Sequence, residues 1–242
     1  MNSFSQIKKL PSFWRGSVNQ TVATWARPVE FRPLPPRPLV LVPGAFCTSS
    51  VMNRLGAAIQ QRGRSVCVPP SFAYYFSALA NLCRLSKAAL AFNSWLDELA
   101  GQADFDEVDV TGHSNGALIA LLAQDMVDRG EIDGKVTIRK VVTMATPFGG
   151  LPNAKILSFF LPCCRDLVLG SEALRRIERQ LHRVVHSLVA EGDFLVPPFH
   201  QFPAGGPKTV MEGYQHMDFI VGSSDRIERT AAEVIKWLGN NY

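Results

Sequence analysis

The sequence predicts an α/β protein: a mostly parallel sheet with helices on both faces. Short apolar, β-branched runs alternate with stretches of helical periodicity, the pattern of strands joined by crossover helices. One such run, Glu107-Val108-Asp109-Val110-Thr111, leads straight into Gly112-His113-Ser114-Asn115-Gly116 and then into the apolar stretch Ala117 to Ala123. Strand, tight turn and helix is the context in which G-x-S-x-G holds a nucleophilic serine above the end of a sheet. Asp193 and His216 each follow a later strand, where the loops of parallel sheets face the crevice and functional groups collect.

The elements follow in chain order. After Arg32-Pro33-Leu34-Pro35-Pro36-Arg37-Pro38 comes Leu39-Val40-Leu41-Val42, a continuous apolar run bounded by prolines, as expected of a strand buried on both faces. It ends at Pro43-Gly44-Ala45-Phe46. Residues 48–62 carry Val51, Leu55, Ala58 and Ile59 on one helical face, and Gly63 ends that helix. Arg64 to Val68 is the next strand. Residues 71–100 begin with an aromatic-rich turn, and Leu79, Leu82, Leu85, Ala89, Phe92 and Leu96 then lie at helical spacing. The serine-bearing strand and turn follow, with a buried helix to about Arg129-Gly130. Val136 to Met144 is a strand that ends in Ala145-Thr146-Pro147-Phe148-Gly149-Gly150. His182 to Val189 is the next and leads into Glu191-Gly192-Asp193. Lys208 to Met211 is the last strand, and an amphipathic helix runs from about Ser224 to Leu238. Residues 151–181 interrupt the alternation, and their apolar patch Ile156 to Leu161 marks a lid-like insertion over the site, with a simple helical cap on the sheet as the alternative.

The chain has 242 residues, enough for one large domain with its own core. It is 47% hydrophobic and 19% charged, ordinary for a soluble globular protein, and its net charge of +4 is too small to argue for nucleic acid as a partner. The charge is uneven. Residues 1–37 hold Lys8, Lys9, Arg15, Arg27, Arg32 and Arg37 against Glu30 alone, together with Phe4, Phe13, Trp14, Trp25 and Phe31. This basic, aromatic arm and Pro-rich linker precede a domain over residues 38–242. The preferred reading of the arm is a tail packed on the domain; the other is contact with an anionic membrane surface.

No early apolar stretch has signal-peptide length, and no run approaches the roughly 18 apolar residues of a membrane span. The five cysteines, Cys47, Cys67, Cys83, Cys163 and Cys164, are odd in number and lack tight spacing, which argues for reduced thiols in a reducing compartment. The expected location is therefore cytoplasmic, peripheral to a membrane if the arm binds one. The adjacent pair Cys163-Cys164 is read first as apolar residues of the insertion, then as a surface redox or lipidation site. No Cys or His spacing indicates structural zinc, and no metal or organic cofactor is implied.

A serine hydroxyl needs a base to take its proton and a carboxylate to orient that base. Ser114, Asp193 and His216 stand in the order nucleophile, acid, base. Glu191 and Asp166 are weaker candidates for the acid, and His200 is the rival base. His182 and His186 read as packing or surface residues, and His113 as a brace for the turn. An oxyanion needs two donors. The backbone N–H of Asn115 is one, and the N–H of Ala45, in the loop where Gly44 lets the backbone approach, is the other, with Phe46 as its neighbouring alternative.

With these pieces in place the chain resembles the α/β-hydrolase superfamily, specifically its bacterial lipase-like and esterase-like members, from about Pro38 to Leu238. Leu39-Val40-Leu41-Val42-Pro43-Gly44-Ala45-Phe46 is similar to the family's first core strand and oxyanion loop, and Gly112 to Gly116 to its nucleophile elbow. Met144 to Gly150 resembles the Thr-Pro-x-x-Gly segment of many lipases, and Gly192-Asp193-Phe194-Leu195-Val196-Pro197-Pro198 the Asp-x-x-Val-Pro segment that holds the acid. The chain departs from the pattern in three places. Pro43 stands where lipases usually have His, Asn115-Gly116-Ala117 replaces Met or Gln followed by Gly-Gly, and the family's first two strands are missing or merged into the arm. Backbone donors survive these changes, so what they leave open is the substrate class.

The resemblance implies a serine carboxylic-ester hydrolase acting on a small-molecule or lipid ester with an apolar acyl group, through an acyl-enzyme. Phe46, Phe148, Phe159, Phe160 and Val196 are the expected substrate-binding side chains. An acyltransferase or thioesterase would share the triad and the acyl-enzyme, and a binding module would keep the scaffold without the chemistry. Nothing in the sequence fixes the oligomeric state.

Overall fold

The computed structural model of the chain describes residues 37–69, 83–159 and 161–239. Six strands form one sheet: β1 Leu39–Val42, β2 Val66–Cys67, β3 Glu107–His113, β4 Thr137–Met144, β5 Val184–Ala190 and β6 Lys208–Met211. Their order is β2-β1-β3-β4-β5-β6, and every neighbouring pair is parallel. Parallel neighbours cannot be joined by hairpins, so each link crosses over a face of the sheet.

Strand periodicity sorts the core into two layers. Along β1, Val40 and Val42 join one apolar cluster while Leu39 and Leu41 join the other, because successive side chains point to opposite faces. All four have no exposed surface, which explains why the run reads as continuous rather than alternating. The first cluster is covered by α2 Leu85–Ala103 and α3 Asn115–Asp128, and the second by α1 Asn53–Gln60 and α8 Ser224–Leu238. In α8 the buried positions are Ile227, Thr230, Ala231, Val234 and Leu238, a one-sided stripe at three- and four-residue spacing. In α3 every residue from Asn115 to Met126 is buried, as expected of an apolar helix pressed on the centre of the sheet.

β6 and α8 have the bounds expected from sequence, and β3 runs two residues further, through His113. The helix expected over 48–62 is a 3-10 turn, Ser49–Met52, followed by α1. β2 is shorter than Arg64 to Val68. Arg64 instead buries its guanidinium, donating to the carboxylate of Asp109 and to the carbonyls of Arg37 and Gly239. β5 starts at Val184, because Leu181–Arg183 forms a 3-10 turn.

The stretch 151–181 folds as three short helices, α4 Ala154–Leu157, α5 Pro162–Asp166 and α6 Glu172–Glu178. Two buried carboxylates tie it to the sheet-covering helices. Asp166 accepts from the Leu85 N–H at 2.7 Å and from Arg84, which caps α2, and Asp125 of α3 accepts from Arg176 Nε at 2.7 Å. The arm over residues 1–36 and the turn expected before α2, with Leu79 and Leu82, lie outside the described residues. Among those residues β1 is the first strand, and no helix is long and apolar enough to cross a membrane.

Candidate active site

Ser114 sits between β3 and α3 with φ 53° and ψ −129°, outside the regions an L side chain ordinarily occupies. A backbone held there costs on the order of 1–3 kcal/mol and persists only where its surroundings enforce it. Here the Ser114 N–H donates to the Met144 carbonyl at 2.8 Å, and the turn is closely packed. A Cβ at Gly112 would lie 2.3 Å from the Ala117 nitrogen, so only glycine lets the strand fold back on the helix. On the other side, a Cβ at Gly44 would lie 2.7 Å from the Ser114 Cβ. The loop after β1 therefore runs hard against the serine, carrying Ala45 and Phe46 past it. Phe46 has φ 58°, a second strained non-glycine backbone beside the first.

Asp193 follows β5, is 5% exposed, and has a full set of partners. Its Oδ1 accepts from the Leu195 and Val196 N–H groups at 2.9 and 3.0 Å. Its Oδ2 accepts from His216 Nδ1 at 2.7 Å and from Gln201 Nε2 at 3.1 Å. A carboxylate only accepts, so the His216 proton sits on Nδ1 and Nε2 is left with its lone pair, the tautomer a general base requires. His216 is 6% exposed, follows β6, and lines the same pocket as Ser114.

Sequence reasoning overlooked Gln201. Its side chain has no exposed surface, and its amide joins four groups. Oε1 accepts from the Ala190 N–H at 2.7 Å, while Nε2 faces Asp193 Oδ2, the Val196 carbonyl at 2.7 Å and the Ala190 carbonyl at 3.2 Å. Gln201 thus locks the end of β5 to the turn that carries Asp193. No local pattern marks it, since a glutamine after Phe199-His200 reads as an ordinary loop residue.

His113 braces more than the turn. Its Nε2 donates to the His216 carbonyl at 2.8 Å, and the two rings lie 4.9 Å apart. Burial, reinforced by the neighbouring His216, pushes its pKa down to about 3, so it stays neutral.

The other candidates are engaged elsewhere. Asp166 holds Arg84 and the start of α2, and Glu191 is exposed and accepts from the Gly213 N–H at 2.9 Å. His200 Nδ1 pairs with the Gly150 carbonyl at 2.9 Å and its ring packs against Gly149. His186 stacks on Trp237 at 3.7 Å, and exposed His182 pairs with the Arg179 carbonyl.

Ser114 and His216 open into a pocket of about 400 Å³. Ala45, Phe46, Asn115 and Val196 line it as well. Two of the expected substrate contacts do not. Phe148 turns away to pack against the cluster under α2 and α3, and Phe159 is 80% exposed. The apolar wall comes instead from Leu151, Leu157, Leu161, Leu167 and Met217, because the short helices of the insertion turn these leucines inward. Phe160 lies outside the described residues.

No known family profile matches the chain, and no curated protein matches it in sequence. Solved structures do match its fold. The mature form of the Bacillus licheniformis lipase BlEst2 superposes with a TM-score of 0.63 at 13% identity, over 87% of this chain and 96% of that one. A structure of the metagenome-derived lipolytic enzymes LipS and LipT gives 0.57 at 13% identity, over 86% and 96%. The Paleococcus ferrophilus monoacylglycerol lipase gives 0.53 at 18% identity, over 84% and 95%. The chain has the α/β-hydrolase fold.

Proposed function

We propose that this α/β-hydrolase-fold protein is a serine hydrolase that cleaves carboxylic esters with an apolar acyl group through an acyl-enzyme. The observation that carries the reading is the 2.7 Å bond from His216 Nδ1 to a fully partnered Asp193, in the pocket that also holds the strained Ser114. Ser114 Oγ attacks the acyl carbonyl as His216 Nε2 takes its proton. The negative charge on the tetrahedral oxygen is met by the backbone N–H groups of Ala45 and Asn115, the latter in the first turn of α3, where unpaired amides and the helix dipole favour an anion. His216 then passes the proton to the leaving alkoxide. Water, deprotonated by the same histidine, attacks the acyl-enzyme and releases the acid. Asp193 keeps its charge and stabilises the imidazolium in both halves.

The leucine-lined wall suits an acyl chain, so the insertion over 151–181 is read as acyl-binding wall and lid. The substrate is a small-molecule or lipid ester. By charge and aromatic content, residues 1–37 would suit packing on the 38–242 domain first, and contact with an anionic membrane surface on the cytoplasmic side second. Fluorophosphonate labelling and hydrolysis of p-nitrophenyl esters of graded chain length test the chemistry. Both are expected from the native chain and neither from Ser114→Ala. Full hydrolysis by that variant rejects the mechanism. A native chain that never labels, even with detergent present, leaves the scaffold as a binding module.

A further inference from the structure

Cys163 and Cys164 belong to α5 and are 2% and 3% exposed. They form a small apolar cluster with Ala45 and Leu161, separate from the two main cores. Both thiols also line the pocket that holds Ser114 and His216. The ester chemistry above uses neither. The neighbouring Cys163 thiol lowers the Cys164 pKa, and Cys164 raises that of Cys163. Cys47, which also lines the pocket, is by contrast pushed up to about 12 by burial. The pair therefore places two adjacent, buried cysteines together in an apolar wall of the pocket.

None of the five cysteines is in a disulfide. A disulfide between these two is disfavoured, because adjacent Cα atoms lie about 3.8 Å apart, short of the roughly 4.4–6.8 Å a normal disulfide spans. One large, soft atom accepting both sulfurs relaxes that limit.

We propose that Cys163 and Cys164 form a dithiol site for soft, doubly thiophilic ligands, with trivalent organoarsenicals as the class, and that its occupancy closes the acyl pocket. With an arylarsine oxide, two As–S bonds form and two S–H bonds break. The arsenic-bound oxygen leaves as water with both thiol protons, and arsenic stays trivalent, so no oxidant is required. The aryl group then occupies the wall at Leu161 and bears on the loop at Ala45. Capture stands on the adjacency and shared burial of the two cysteines at the pocket wall, whereas closure rests on the pocket being the substrate site proposed above.

Phenylarsine oxide added to the reduced full-length chain tests both halves. Mass spectrometry of the intact protein and its peptides is expected to find one phenylarsenic group bridging Cys163 and Cys164. Excess dithiol should remove it and excess monothiol should not, because two linked sulfurs compete as one ligand. Cys163→Ser and Cys164→Ser should each lose monothiol-resistant capture while melting near the native temperature, and Cys67→Ser should capture normally. Occupancy should slow fluorophosphonate labelling of Ser114 by about 10²-fold, the scale expected when a reacting geometry is displaced by an ångström. It should also displace dansyl-undecanoic acid, a readout that does not need a working serine. An arsenic bridge mapped to Cys47 or Cys83, or capture that survives both single variants, overturns the site. A bridged pair with unchanged labelling and unchanged dye binding overturns closure. Bridging and dye loss in a chain whose Ser114 never labels would uphold the dithiol site and reject the esterase.

Discussion

Gln201 and His113 each touch a member of the proposed triad other than Ser114, and both contacts can be tested experimentally. Gln201 donates to the same carboxylate oxygen as His216. Gln201→Leu keeps much of the bulk but removes the donor to Asp193 and leaves the Ala190 N–H without its acceptor. The kcat for p-nitrophenyl esters should fall about tenfold with KM little changed, a split that mispacking of the pocket wall would not produce. An unchanged kcat would confine Gln201 to packing.

For His113 the folded pKa, about 3, lies below the usual histidine value. The unfolded chain then binds the extra proton first, so stability falls as pH drops below about 6.5 and keeps falling toward about 3, at up to ~1.4 kcal/mol per pH unit. The lowered pKa of His186, caused mainly by burial, acts in the same direction. Denaturant melts between pH 4 and 7 should show a shallower slope for His113→Asn than for the native chain. Equal slopes would mean that His113 is already protonated in the folded state or does not titrate differently on unfolding.

At the scale of elements, the stretch 151–181 is held by apolar packing of Leu167, Leu174 and Ile177 on the first cluster and by a few charged contacts. Asp166 satisfies the first N–H of α2 and pairs with Arg84. Asp166→Ala removes a helix cap and leaves an arginine with no partner, at a cost of about 2 kcal/mol. Hydrogen exchange at the Leu151 amide, which donates to the Leu167 carbonyl at 2.9 Å, should accelerate more than exchange in β3. Uniform acceleration across both would show that the insertion unfolds only with the whole domain. The strands were legible at this scale because β-branched residues recur in them, continuously apolar in β1 and alternating with polar residues in β3. Their ends were less so. β2 starts only at Val66, after Arg64 has turned its side chain to Asp109, a residue 45 positions away, and no local window contains that partner.

Across the whole molecule, the parallel order gathers the carboxyl ends of β1, β3, β5 and β6 at one edge, so residues far apart in sequence share one pocket. Its depth is set by leucines of the insertion, and Leu167 is 3% exposed at its wall. Leu167→Trp should fill part of the 400 Å³ and shift the preferred p-nitrophenyl ester to a shorter acyl chain, with short esters little affected. An unchanged chain-length profile would place the acyl group elsewhere.

The sequence by itself determined the elbow, the order of Ser114, Asp193 and His216, and the alternation of strands and helices. Each is written in local period, turn chemistry or strand-end position, which neighbouring residues alone impose. Only the tertiary structure decided that Phe148 turns into the helical layer while Leu151, Leu161 and Leu167 face the pocket. It also decided that Gln201 holds Asp193 and that Cys163 and Cys164 pack on Ala45. A side chain's direction in an irregular segment follows from which distant surface it can bury against, and that surface exists only once the sheet has assembled.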